Sequence, residues 1–318
     1  MRWVASLRWH VLVAATLCLA ACAPRAPASA PTRAADAPSA RRTFKLPSRT
    51  LGETRTINVY TPPGYDTSAR RYPILYMPDG GEAEDFPHVA DAVDAGIRSG
   101  EVEPLILVGI ENTERRRDMT GPTTVDADRA IAPHVGGSAA FRAFLRDELM
   151  PDIRTRVRGN GRTGIIGESL AALFIMETFF VAPDMFDTYI ALSPSLWWND
   201  RGLVREARAW RAATPRLHRT LYLSVAGDDD RGDAIASMAE FLRSDPPEGL
   251  VFVFEPRPEE HHKTIYRASE GPALRRLFPA QGAWVATCPS AASAVAISSV
   301  TGATCPSPCR ATIQCGSL

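Results

Sequence analysis

Thr163-Gly164-Ile165-Ile166-Gly167-Glu168-Ser169-Leu170-Ala171-Ala172-Leu173-Phe174-Ile175-Met176 decides how this chain is read. The apolar run Thr163 to Ile166 signals a short buried strand, and Ala171 to Met176 signals a helix. Between them, Gly167-Glu168-Ser169-Leu170-Ala171 puts a serine on a sharp strand-to-helix turn, the arrangement called a nucleophile elbow. Such a turn brings the positions two before and two after the serine almost into contact. Gly167 meets that demand, whereas Ala171 stands where a second glycine is usual. The bland alternative is a buried serine whose hydroxyl only caps the helix behind it.

The surrounding chain alternates in the same manner. Strand signals occur at Thr56–Tyr60, Tyr72–Met77, Leu105–Ile110, Tyr189–Leu192, Leu221–Ala226 and Leu250–Phe254. Helical spacing occurs at Val89–Ile97, Val204–Trp210, Ala234–Leu242 and Pro272–Leu277. Phe141, Phe144, Leu145, Leu149 and Ile153 fall on one face of a longer helix, which Pro151 either kinks or restarts. Apolar strands alternating with helices imply an α/β protein with a mostly parallel central sheet covered by helices on both faces. With the serine elbow, that is the α/β-hydrolase fold, and its ligands lie beyond the carboxyl ends of the strands.

A serine hydroxyl needs a base within hydrogen-bond reach, and the base needs an orienting carboxylate. In this fold the chain order is serine, acid, histidine. The strand ending at Ala226 runs into Gly227-Asp228-Asp229-Asp230, three carboxylates in a row. Asp230 has the usual offset for the acid, and Asp229 is the alternative. The strand ending at Phe254 leads to His261 and His262, either of which suits the base. Adjacent histidines point apart and no third ligand is evident, so no metal site is expected. The oxyanion donors expected are the backbone N–H groups of Leu170, just after the serine, and Gly81, after the strand that ends at Met77.

The 318 residues carry 36 basic and 36 acidic side chains and are 45% hydrophobic, which suits a soluble body with one substantial core. A neutral balance argues against a nucleic-acid partner. Arg2 and Arg8 precede an apolar stretch, Val11–Ala20, too short to span a bilayer as a stable helix. With Leu19-Ala20-Ala21-Cys22 it reads as a secretory signal. That ending resembles the lipobox of bacterial lipoproteins, which implies lipidation at Cys22. Because Ala23 follows the cysteine where an aspartate would retain such proteins in the inner membrane, the resemblance implies an outer-membrane anchor facing the periplasm.

The expected division is therefore a signal peptide at 1–21, a flexible Ala/Pro/Arg/Ser-rich tether at 22–42 and a hydrolase domain at 43–280. Residues 281–318 follow as a low-complexity, poorly ordered tail. Four of the six cysteines, Cys288, Cys305, Cys309 and Cys315, lie in that tail at spacings that match no zinc pattern.

Several stretches together resemble the esterases similar to esterase D and to enterochelin esterase. They are Asn58–Tyr65, Tyr72–Gly80, Glu111-Asn112-Thr113 with Arg117-Asp118, the elbow, Ser193–Trp198 and His262-Lys263-Thr264-Ile265-Tyr266. The resemblance spans roughly Thr43 to Pro279. It implies hydrolysis of a small-molecule carboxylic ester through an acyl-enzyme on Ser169, with His262 rather than His261 as the base, Asp230 orienting it, and no cofactor. Arg117, in the run Arg115-Arg116-Arg117, is a candidate for binding an anionic or catecholate substrate. Trp197 and Trp198 are candidates for an aromatic wall. Two other classes fit the same residues: an acyltransferase of this fold, and a non-catalytic ligand-binding lipoprotein.

Overall fold

A computed structural model describes residues 37–228 and 232–280. They belong to the first of two units into which the chain divides, residues 1–283; the second, 284–318, lies outside the described residues. So do the signal peptide, Cys22, most of the stretch read as a tether, the cysteine-containing tail, and both Asp229 and Asp230.

The strands are β1 (Ala40–Ser48), β2 (Glu53–Thr61), β3 (Tyr72–Pro78), β4 (Ile106–Ile110), β5 (Gly159–Glu168), β6 (Thr188–Leu192), β7 (Thr220–Ser224) and β8 (Val251–Phe254). They form one sheet in the order β1-β2-β4-β3-β5-β6-β7-β8. From β4 to β8 every pairing is parallel, and β1 and β2 join antiparallel at one edge. Strand β1 is a departure from the sequence reading. It starts at Ala40, inside the expected tether, because Ala40–Ser48 finds a complete ladder on Glu53–Thr61. Its own exposed, charged pattern carries no core signal.

The longer helices are α1 (Phe86–Ser99), α4 (Ser138–Phe144), α5 (Met150–Arg156), α6 (Leu170–Val181), α7 (Trp198–Ala213), α8 (Gly232–Ser244) and α9 (Ile265–Leu277), with single turns α2 (Arg115–Asp118) and α3 (Asp126–Arg129). Pro151 falls just after one π turn, Leu145–Leu149, in the first turn of α5. The backbone stays helical through Phe144, Leu145, Leu149 and Met150, so α4, the π turn and α5 run on as one stretch and the proline sits where the hydrogen-bond register changes. In contrast, α9 begins seven residues before Pro272 and carries that proline inside it. Burial of Ile265, Tyr266, Ala273 and Leu274 outweighs the local penalty.

The period of two along the strands divides the core into two layers. Ile74, Tyr76, Ile165, Tyr189, Leu221 and Leu223 pack with α4–α8 on one face. Leu75, Met77, Ile166, Ile190, Leu192 and Tyr222 pack with α1 and α9 on the other. Helix α6 is apolar on nearly all sides, as suits a helix enclosed within one of these layers.

Candidate active site

Three non-glycine residues with left-handed φ stand at the carboxyl ends of adjacent central strands: Asp79 (57°) after β3, Ser169 (60°) after β5 and Ser193 (44°) after β6. Each costs on the order of 1–3 kcal/mol, and such strain gathers where a site needs side chains aimed out of the sheet. At Ser169 the backbone (φ 60°, ψ −118°) turns directly from β5 into α6. Ser169 N–H donates to the Leu192 carbonyl (3.0 Å), and the Ser169 carbonyl accepts from Leu173 (2.9 Å) and Ser195 (3.1 Å), so neighbouring backbone holds the turn. A Cβ on Gly167 would lie 2.8 Å from the Ala171 Cβ and 3.1 Å from Ile175 Cδ1. The close approach that the sequence implied is therefore present, and Gly167 alone makes the room.

His262 lies on the loop between β8 and α9, and its Nε2 is 3.0 Å from Ser169 Oγ. Its neighbour His261 points elsewhere: Nδ1 meets Asp228 Oδ2 at 2.8 Å. The other Asp228 oxygen accepts from the backbone N–H of His262 at 2.8 Å. Of the three consecutive aspartates, Asp228 thus fastens the histidine loop rather than the His262 ring. These bonds hold its carboxyl below the usual range. Further backbone links tie the two loops: Gly227 N–H to the Glu260 carbonyl (2.9 Å) and Arg257 N–H to the Val225 carbonyl (2.8 Å).

Of the expected oxyanion donors, Leu170 opens α6, so its N–H has no acceptor within the helix. Gly81 differs, since its N–H donates to Glu84 Oε2 at 2.7 Å. The loop that carries it is well braced. Asn58 Nδ2 donates to the Gly80 carbonyl (2.8 Å) and Gly80 N–H to the Ile110 carbonyl (2.9 Å). Arg115 grips Asp79 through two parallel bonds of 2.7 Å, and Asn112 donates to both Asp79 and Glu84.

The substrate-binding candidates fare differently. The Arg117 guanidinium pairs with Asp118 (2.7 Å), Glu53 (2.8 Å) and Glu114 (3.0 Å). Trp198 is buried and donates its indole N–H to the Gly121 carbonyl at 2.9 Å, which makes it core. Trp197 meets it edge-on at 5.9 Å and is only partly buried.

The sequence reading missed two features. One is the Asp79–Arg115–Asn112–Glu84 network, which no local spacing announces. The other is Glu168, visible in the elbow as the residue before the serine, whose Oε1 lies 3.0 Å from His262 Nε2. Burial pushes the Glu168 carboxyl up to about 7, against the opposing pull of His262 and Arg115. Among the described residues, no group of three or more His, Cys, Asp or Glu side chains is arranged to hold a metal ion, and no helix is long and apolar enough to cross a membrane.

A sequence model of the family described as "Putative esterase" matches residues 48–267. The chain is similar to ferri-bacillibactin esterase BesA of Bacillus subtilis, with 29% identity over 194 residues, 56% of this chain and 66% of that one. It is also similar to the siderophore triacetylfusarinine C esterase of Aspergillus fumigatus, 36% identical over 101 residues, 30% of this chain and 32% of that one. These alignments thus span about a third to just under two thirds of those relatives' own length. Among solved structures, an IroE-like serine hydrolase from Shewanella oneidensis superposes with a TM-score of 0.70 at 28% identity, covering 75% of this chain and 80% of that one.

Proposed function

The chain belongs to the "Putative esterase" family, and from that premise we propose that it is a serine hydrolase of small-molecule carboxylic esters, acting through an acyl-enzyme. One observation carries the reading: the hydroxyl of Ser169, on a strained strand-to-helix turn, meets Nε2 of His262 at 3.0 Å. Ser169 Oγ attacks the ester carbonyl while His262 Nε2 takes its proton. Nε2 then returns the proton to the departing alcohol, and water repeats the sequence to release the acid. The Leu170 N–H faces the developing oxyanion. Gly81 joins it once Glu84 yields its hydrogen bond, and each such donor contributes on the order of 100-fold in rate. Asp230, with Asp229 as the alternative, orients the imidazole.

The names of the similar proteins favour a siderophore-type ester as substrate. The lipobox-like Leu19-Ala20-Ala21-Cys22 supports an envelope protein lipidated at Cys22. Fluorophosphonate labelling tests the chemistry: the wild-type chain is expected to label and Ser169→Ala to remain unlabelled with an unchanged melting temperature. Absence of labelling in folded wild-type protein would sink the reading. Turnover of a trilactone siderophore against p-nitrophenyl esters of graded chain length tests the substrate class, and incorporation of labelled palmitate, lost in Cys22→Ala, tests the anchor.

A further inference from the structure

The reaction above leaves one group at the reacting nitrogen unused. Glu168 Oε1 and Ser169 Oγ both lie 3.0 Å from His262 Nε2. A ring nitrogen has one in-plane lone pair or one N–H, so it serves one of the two oxygens at a time. Oε1 is buried and makes no hydrogen bond: the imidazole is within 3.0 Å of it, but Nε2 is aligned with Ser169 Oγ, so a small turn of the ring or carboxyl decides which oxygen it serves. Among the described residues, the groups that act on the carboxyl include Arg115 of α2, already bound to Asp79, and Asp79 itself just after β3. Asp85 ahead of α1, Tyr266 of α9 and His262 act with them. Asp79 and Asp85 oppose ionisation of Glu168, while His262 and Arg115 favour it.

We propose that Glu168 is a positioning residue that competes with Ser169 for Nε2 of His262, so that a single proton shared by carboxyl and imidazole holds the base off the serine. The proposal rests on the serine-hydrolase reading. With one proton on the pair, either the imidazolium N–H donates to the carboxylate or the carboxylic O–H donates to Nε2. Both arrangements occupy the nitrogen. Release of that proton to solvent leaves a carboxylate and a neutral imidazole, and Nε2 is then open to the serine hydroxyl. The titration belongs to the pair rather than to either residue. The burial that lifts Glu168 to about 7 brings this event into the range where a modest change of pH alters activity. Glu168 thereby sets the lower edge of the working pH range, independently of the ester.

The test is the second-order rate constant for fluorophosphonate labelling of the full chain between pH 4.5 and 9, in wild type, Glu168→Gln and Glu168→Ala, with melting temperatures recorded alongside. Loss of the negative charge beside Nε2 is expected to move the acid limb down by about one pH unit in both variants, so that labelling near pH 5.5 rises about tenfold relative to the plateau. Coincident limbs in wild type and both variants would overturn the proposal while leaving the hydrolase reading intact. Loss of labelling at every pH in folded Glu168 variants would overturn it too. A wild-type chain that fails to label removes both.

Discussion

Gly227 and Pro258 approach so closely that a Cβ on the glycine would lie 2.1 Å from the proline carbonyl oxygen. The contact joins the acidic turn after β7 to the loop that carries His262. Both partners are backbone, so no flexible side chain can move aside. Gly227→Ala is therefore expected to push the two loops apart and to lower kcat/KM about 100-fold or more, since displacement of a catalytic group by about 1 Å costs that much. Because the contact sits at the rim, the melting temperature should fall far less than for a core substitution. Equal losses of activity and of folded fraction would contradict this account.

The elbow makes a reciprocal prediction. Gly167→Ala drives a methyl group to 2.8 Å from the Ala171 Cβ and is expected to cost about 1–3 kcal/mol, as overpacking does, with loss of fluorophosphonate labelling. Ala171→Gly removes the opposing methyl. The double variant should recover part of both stability and labelling, which a double-mutant cycle by urea denaturation would measure.

Arg115→Lys replaces a two-pronged grip on Asp79 with a single point charge. The Asp79–Gly81 loop should loosen and kcat should drop about tenfold or more. Labelling in Ser169→Ala remains the blank, and an unchanged kcat would place the loop's rigidity elsewhere.

His88 predicts a pH dependence of stability. Its ring lies between Glu270 (2.7 Å at Nδ1) and Asp85 (3.1 Å at Nε2), tying α1 to α9. Burial opposes the imidazolium, but the two carboxylates prevail and lift His88 from 6.5 to about 9. The folded state therefore binds this proton more tightly than the unfolded chain. The stabilisation is complete below pH 6.5 and is lost as pH rises through 9. Urea unfolding should lose up to about 3 kcal/mol across that window, and His88→Gln should flatten the dependence.

Much of this molecule is legible in its sequence because burial follows period. Leu75 and Met77 face one layer, Ile74 and Tyr76 the other, and the elbow carries its serine between a strand and a helix of opposite period. Strand β1 escaped because it is an exposed edge strand: Arg41, Arg42 and Lys45 are exposed and charged, and the ladder to β2 defines it. The arginine run escaped for another reason. Arg115 and Arg117 are equivalent in composition, yet one turn of helix sends the first to Asp79 and the second to Asp118, Glu53 and Glu114. The two histidines were separable only by resemblance, because what distinguishes them is the Asp228 carboxylate that takes the His261 ring.

The edge hairpin also fixes a direction. Ala40 pairs with Thr61 and Ser48 with Glu53, while Ile57 pairs with Ile110 at the carboxyl end of β4. The chain therefore enters β1 at the pole of the body opposite Ser169. It arrives near the same pole at Ala280, whose N–H meets the Glu101 carbonyl on the loop that feeds β4. A surface that held this body by its N-terminal side would meet the pole remote from Ser169. The mouth of the reaction would then open toward bulk solution, where a diffusing ester meets it before the surface does.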